Sequence, residues 1–205
     1  MEPGGIILCG GRSSRMGRDK ASLPFGSERM LQRVLRLVTE GLSGGPVVIV
    51  AARDQELPPL PAAVRIARDQ YPEHGPLEGL AAGMEVLAQI ADTAFVTSCD
   101  VPLLNPDVIH LLLSTPGEWD AVVPQEERFL HPLCAVYRTS TLATIRRLLA
   151  SDEYRPRAMF QQVRTVYVPV EELRTVDQDL HSLINLNHPE DYRRALALAG
   201  LSATD

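Results

Sequence analysis

Apolar positions along this chain fall into two rhythms that take turns. Ile6–Leu8, Val47–Ala51, Thr93–Ser98 and Ala121–Val123 are short runs, too brief for helices, and read as strands buried on both faces. Between them, apolar residues return every three or four positions. Met30, Leu31, Val34, Leu35, Val38 and Leu42 do so with Arg33, Arg36 and Glu40 in the gaps, and Leu80, Met84, Leu87 and Ala91 follow the same period. A third such set is Leu142, Ile145, Leu148 and Leu149, with Arg146 and Arg147 outward. Ser27 is placed to cap the first of these helices, and Gly41, Gly44 and Gly45 to end it. Pro76 opens the second; Asn105 stands before a further helix, Pro106–Leu113, and Thr139 or Ser140 before the helix that starts near 142.

Weaker signals fill the intervals. A proline-rich link at 58–61 leads to a short strand at Val64–Ala67, and a polar turn at Gln125–Arg128 leads through His131 to a strand ending near Tyr137. Ala158–Val163 reads as a short helix and Val166–Val168 as a strand. Strand-like residues at Leu183–Leu186 give way to a helix opening at Pro189, with Glu190 and Asp191 favouring its dipole, and residues 200–205 are expected to fray. Strand–helix–strand succession calls for a parallel sheet. The expectation is an α/β fold, with 1–205 as a single domain.

Composition narrows the function classes. The chain is 45% hydrophobic and 22% charged with a net charge of −6, which argues against nucleic acid or an anionic membrane as partner. No run approaches the roughly 18 apolar residues of a membrane span, and Met1–Gly4 lacks the features of a secretory signal. Cys9, Cys99 and Cys134 are odd in number and far apart, so neither a disulfide framework nor structural zinc is indicated; a reducing cytoplasm fits.

The candidate chemistry begins where the first strand stops. Gly10 and Gly11 are expected to allow left-handed backbone angles and close approach by a ligand. Arg12, Arg15, Arg18 and Lys20 follow in a turn-rich stretch, and backbone N–H groups with cations suit a polyphosphate. The spacing is neither that of the P-loop nor G-x-G-x-x-G, and the same residues also read as a solvent-facing turn. Asp100, at the end of Thr93–Ser98, reads as a magnesium ligand or a helix cap, though Asn105 suits capping better. Asp69 reads as a nucleotide contact or a turn residue, and Gly75–Gly79 as a nucleotide contact or a plain helix start. His131 has the chemistry of a general base, but no serine or cysteine nucleophile stands beside it, which leaves a structural or substrate-shaping role. Arg155 and Arg157 are solvated charges or contacts for an anionic second substrate.

Leu8-Cys9-Gly10-Gly11, Arg15-Met16-Gly17 and Asp19-Lys20 resemble the L-A-G-G-x-x-x-R-M-G-x-D-K signature of the molybdenum cofactor guanylyltransferases, with Cys9 in the alanine position. Gly75-Pro76-Leu77-Glu78-Gly79, His131 to Tyr137, and Asn185 to Asp191 are similar to further segments of that family. The resemblance implies a Rossmann-like three-layer α/β/α fold of the nucleotidyltransferase type, with a mostly parallel central sheet. It implies transfer of GMP from GTP to molybdopterin-bound molybdenum cofactor, with release of pyrophosphate and dependence on Mg²⁺ (Mn²⁺ as a substitute). Leu8, Cys9, Gly10 and Gly11 would contact the base through the backbone, and Lys20 and Arg15 would offset phosphate charge. Asp69 and Asp100 would bind nucleotide, Asp100 would hold the metal, and Asn185, Asn187 and His131 would face the second substrate. Cofactor-delivery proteins or recipient molybdoenzymes are the further partners implied. One departure bears on the base: Val50, Ala51 and Ala52 stand where the family commonly has asparagine. A CTP-dependent molybdopterin cytidylyltransferase, or a nucleotide-binding regulatory or delivery protein without turnover, therefore stay open.

Overall fold

The structure is a computed structural model in which residues 1–10, 19–71 and 74–201 are described. Its strands are β1 (Gly4–Leu8), β2 (Pro24–Phe25), β3 (Glu28–Arg29), β4 (Val47–Ala52), β5 (Arg65–Asp69), β6 (Thr93–Ser98), β7 (Ala121–Glu126), β8 (Phe129–Leu130), β9 (Cys134–Arg138) and β10 (Thr165–Pro169). Its α-helices are α1 (Met30–Gly41), α2 (Pro76–Leu87), α3 (Pro106–Leu113), α4 (Leu142–Leu149), α5 (Pro156–Phe160), α6 (Val170–Leu173) and α7 (Pro189–Leu198).

Eight strands form one sheet in the order β10-β7-β9-β6-β1-β4-β5, with β8 paired to β7. The β1–β4, β1–β6, β4–β5 and β7–β10 pairs are parallel. β9 runs antiparallel to both neighbours, because the stretch 127–133 is too short for a parallel crossover, which needs about a dozen residues. The sheet is thus mostly parallel, as expected. Alternation along each strand sends successive side chains to opposite faces. On one face Ile7, Ile49, Phe95 and Val136 pack with Leu31, Val34 and Val38 of α1 and Ile109 and Leu112 of α3. On the other, Ile6, Leu8, Val48 and Val96 pack with Leu80, Met84 and Leu87 of α2 and with α4 and α5. Three layers follow.

From β1 the chain passes through α1 to β4, and from β5 it returns through α2 to β6 on the other side of β1. The path therefore reverses at β1, and the crevice past the carboxyl ends of β1 and β6 is where such sheets take ligands.

Several local expectations are corrected. Ser27 lies in the turn of the β2–β3 hairpin, and α1 begins at Met30, where Gln32 Oε1 accepts the Arg29 N–H at 2.8 Å. A 3-10 turn at Thr139–Thr141 precedes α4 in place of a side-chain cap. The helix expected at 158–163 is Pro156–Phe160, with proline in its first turn, and α6 was not foreseen. Leu183–Leu186 joins no strand pairing: a 3-10 turn at His181–Leu183 leads to extended backbone whose Leu186 N–H donates to Asp100 O at 3.0 Å. At the far end Leu201 donates its N–H to Leu196 O and packs beside Phe25 and Leu196 in a small third cluster, and the rest of the tail expected to fray, 202–205, lies outside the described residues. No helix among the described residues is long and apolar enough to cross a membrane.

Candidate nucleotide site

A cleft of about 310 Å³ opens past the ends of β1 and β6, lined on one side by Leu8, Cys9, Gly10 and Lys20 and on the other by Ser98, Cys99 and Asp100. Its third wall is Asp69, Gly75, Pro76 and Gly79, at the end of β5 and the start of α2, and Val50, Leu133 and Asn185 complete it. Register explains the first two walls: Leu8 pairs with Ser98 across β1 and β6, so the next residues of both strands emerge together. The Cys99 N–H donates to Leu8 O at 3.0 Å and the Cys9 N–H to Val50 O at 2.7 Å, which continues the ladder to the edge of the cleft.

Charge in the cleft centres on one contact. Lys20 Nζ donates to Asp100 Oδ2 at 2.9 Å and to Asn187 Oδ1 at 3.1 Å. Ser98 Oγ donates to Asp100 Oδ1 at 2.5 Å. Ser98 ends β6 and Asp100 follows two positions on, in the turn that brings its carboxylate back to the Ser98 hydroxyl. That spacing is the signal by which Ser98, overlooked in the sequence, was open to being found. The segment carrying Asn185 and Asn187 is tied in by Leu186 on Asp100 O, and from behind by Asp177, whose carboxylate accepts the His181 and Ser182 N–H groups at 3.0 and 2.8 Å. Ser182 Oγ accepts the Asn105 N–H at 2.9 Å, and Asn105 Oδ1 caps α3 on the Asp107 N–H. Asp191 Oδ2 takes the N–H groups of His188 and Asn187, and those bonds hold its carboxyl below the usual range. A carboxylate oxygen and an amide oxygen thus converge on one cationic position, and both are hard ligands that Mg²⁺ accepts.

At the other end, Asp69 is buried and its Oδ1 accepts the Tyr71 N–H at 2.9 Å. Its Oδ2 lies beside Gly79, where a Cβ would come within 3.4 Å of both Oδ2 and a Leu8 methyl. Glu78 lies nearby; partial burial, then the charge of Asp69, pushes its carboxyl up. Gly75 adopts φ +83° at the helix start, whereas Gly10 is not in the left-handed region. The expectation for Gly10 is corrected accordingly. An added Cβ on Gly10 would face the end of β4, 3.5 Å from Ala52 N, an ordinary contact.

Of the sequence candidates, Leu8, Cys9, Gly10, Lys20, Asp69, Asp100 and Asn185 meet around the cleft and Asn187 reaches it through Lys20. His131 does not line it, although Leu133 of the same segment does. Its Nε2 is buried without a hydrogen-bond partner among the described residues, and burial lowers the ring's pKa. Arg155 is exposed and paired with Glu153 at 2.7 Å. Gly11 and Arg15 lie outside the described residues. The cysteines are free and buried, the burial pushing Cys9 up and Cys134 up to about 12.

Residues 5–166 match the MobA-like NTP transferase domain. A probable molybdenum cofactor guanylyltransferase of Mycobacterium avium is 36% identical over 206 residues, covering 97% of each chain. The chain belongs to the MobA-like NTP transferase family. A second relative, also a probable molybdenum cofactor guanylyltransferase, from Methanosarcina mazei, is 33% identical and covers 95% of this chain and 90% of its own. The fold is shared by molybdopterin-guanine dinucleotide biosynthesis protein A of Archaeoglobus fulgidus, with TM-score 0.73, 23% identity, and 96% and 98% of the two chains covered. It is shared too by 4-diphosphocytidyl-2C-methyl-D-erythritol synthase of Anaerococcus prevotii, with TM-score 0.69, 13% identity, and 97% and 96% covered. As a MobA-like transferase the chain is a nucleotidyltransferase, and the family match holds every cleft residue named above except Asn185, which like Asn187 lies beyond position 166.

Proposed function

We propose that this chain, acting as one domain over 1–205 in the cytoplasm, transfers GMP from GTP to the phosphate of molybdopterin-bound molybdenum cofactor. The observation that carries the reading is the meeting of Lys20, Asp100 and Asn187 at the sheet edge of a MobA-like transferase. An oxygen of the acceptor phosphate attacks the α-phosphorus of GTP; the new P–O bond forms as the bond to the bridging oxygen breaks, and pyrophosphate leaves. Such a step asks the protein for position and charge neutralisation more than for covalent chemistry.

Lys20 takes the phosphate oxygens and offsets their charge, with Arg15 in the same role. Asp100 and Asn187 would hold Mg²⁺, or Mn²⁺ in its place, with Asn185 beside them. The donor set fits, since Asp100 Oδ2 and Asn187 Oδ1 are hard oxygen ligands facing one cation, and Mg²⁺ is usually held by one or two carboxylates with substrate phosphates supplying the rest. When bound, the ion would neutralise charge on the phosphates during transfer. The base lies between the Leu8–Gly11 backbone and Asp69. Guanine carries N1–H and N2–H side by side, which a carboxylate accepts, whereas cytosine sets an acceptor next to its N4–H donors. Asp69 thus favours GTP over CTP, although Val50 offers the cleft no polar contact. The molybdopterin enters from the side of Asn185, Asn187 and the His131 segment. Delivery proteins or recipient molybdoenzymes would then take the product.

The test is pyrophosphate release from GTP and from CTP with molybdopterin supplied, in the wild type and in Asp100→Ala. Release from GTP that Asp100→Ala abolishes supports the reading. Release from CTP alone moves it to the cytidylyltransferase, and saturable GTP binding without release moves it to a binding protein.

A further inference from the structure

Gln55, on the turn after β4, does not line the cleft, yet its carboxamide bonds to both ends of the glycine-rich stretch. Its Oε1 accepts the Ala52 N–H at 3.1 Å. The Ala52 N–H can only donate, so the amide is oriented with Nε2 facing acceptors. Nε2 meets Asp19 Oδ2 at 2.9 Å, Asp19 Oδ1 at 3.1 Å and Cys9 O at 3.3 Å. Cys9 ends the first wall of the cleft, and Asp19 directly precedes Lys20, whose turn it also caps by accepting the Ala21 N–H at 3.0 Å. Gly10 lies against the same turn, its open Cβ position 3.5 Å from Ala52 N. The turn is braced in its own right: an Arg68 guanidinium N–H group donates to Ala52 O at 3.0 Å and Gln55 O at 2.8 Å, and Arg68 adjoins Asp69 on β5.

From this chain of contacts we infer that Gln55 is a positioning residue for nucleotidyl transfer. It fixes Cys9 and Asp19 to one turn, and so sets Lys20 at a constant distance from the Asp69 end of the cleft. The inference rests on the nucleotide reading of that cleft. An amide is required at 55 because the turn needs an acceptor while Asp19 and Cys9 need a donor. Leucine supplies neither, and glutamate would set a second carboxylate against Asp19.

The experiment measures the Kd of GTP with Mg²⁺ and, separately, kcat and KM for pyrophosphate release, in Gln55→Leu, Gln55→Glu and the exchanged pair Gln55→Glu with Asp19→Asn. Misplacing Lys20 by about 1 Å would lower kcat/KM roughly 10²-fold in Gln55→Leu, and Gln55→Glu, which sets two carboxylates together, should lose at least as much. The exchanged pair restores a donor opposite an acceptor and should recover about tenfold of the Gln55→Glu loss, which a loss of general stability would not do. Wild-type affinity and rate in Gln55→Leu, or an exchanged pair no better than Gln55→Glu, overturns the inference. Should the wild type bind GTP without releasing pyrophosphate, the transfer reading fails while the Kd series still decides the role of Gln55.

Discussion

Lys20 and Asp100 stand 80 positions apart in sequence and 2.9 Å apart in space, their side chains only 17% and 15% exposed. A pair so sheltered gathers a cation and a carboxylate in one cleft before substrate arrives; Mg²⁺ on Asp100 and Asn187 would take the place of Lys20 Nζ and turn the ammonium towards the phosphates. Lys20→Ala and Asp100→Ala should each lower kcat for pyrophosphate release by about 10²–10³-fold. Because the two act on one group of phosphates, the double variant should lose far less than the product of the single losses. Strictly multiplicative losses would show that they act independently.

Asp69 carries the prediction on base choice. Its Oδ1 accepts the Tyr71 N–H and its Oδ2 lies beside Gly79, at the edge of the cleft. Asp69→Ala should narrow the ratio of kcat/KM for GTP over CTP by about 1–3 kcal/mol, the scale of a good bidentate contact to a base. The ratio is read from parallel assays with the two nucleotides, and an unchanged ratio removes Asp69 from base recognition.

These two carboxylates were legible in the sequence for a physical reason. Asp100 follows a strand buried along its whole length and Asp69 ends a shorter, largely exposed one, and strand ends in an open sheet converge on one edge. The parallel core of β1, β4 and β6 was legible for the same reason, since its strands are apolar on both faces. The antiparallel place of β9 was not, because pairing direction depends on the loop between β7 and β9 rather than on the strand. Ser98 and Gln55 escaped notice because each acts through a partner. Ser98 matters by way of Asp100, two positions on, a spacing that does announce the pair, whereas Gln55 acts by way of Asp19, 36 positions away, which the pattern does not announce. Gly10 drew attention for a left-handed angle it does not adopt, while Gly79, read within 75–79 as a nucleotide contact or a plain helix start, borders Asp69.

Two glycines of α2 should answer substitution in opposite ways. At Gly79 an added Cβ meets Asp69 Oδ2 and Leu8 at 3.4 Å, an ordinary contact, and alanine gains about 1 kcal/mol of helix propensity over glycine. At Gly83 it would lie 2.7 Å from Ile6 and 2.9 Å from Val50, inside the core, where overpacking costs about 1–3 kcal/mol. Gly79→Ala should therefore keep or raise Tm while raising KM for GTP, by about tenfold if 1.4 kcal/mol of binding is lost. Gly83→Ala should lower Tm and leave KM of the folded fraction unchanged. Melting curves and KM values together check the split; a Gly79→Ala protein with wild-type KM would put the base elsewhere.

His131 makes stability depend on acidity. Its Nε2 is buried without a hydrogen-bond partner among the described residues, with the Phe129 ring edge-on at 4.9 Å, and burial lowers its pKa from an ordinary value near 6.5, against a smaller opposing pull from Glu126. A lowered folded pKa means that the unfolded chain binds a proton first as pH falls. The neutral ring's contribution is therefore complete above about pH 6.5, shrinks as pH drops through the interval between the unfolded and folded values, and levels off below it. Wild-type Tm should decline from pH 7.5 to 5.5 more steeply than that of His131→Asn, which has no proton to gain over that range. The comparison of slopes matters rather than of Tm at one pH, because the substitution also alters packing against Phe129. Parallel slopes in the two proteins would mean that the ring titrates in the fold as it does in the open chain, and that its buried nitrogen has a route to water.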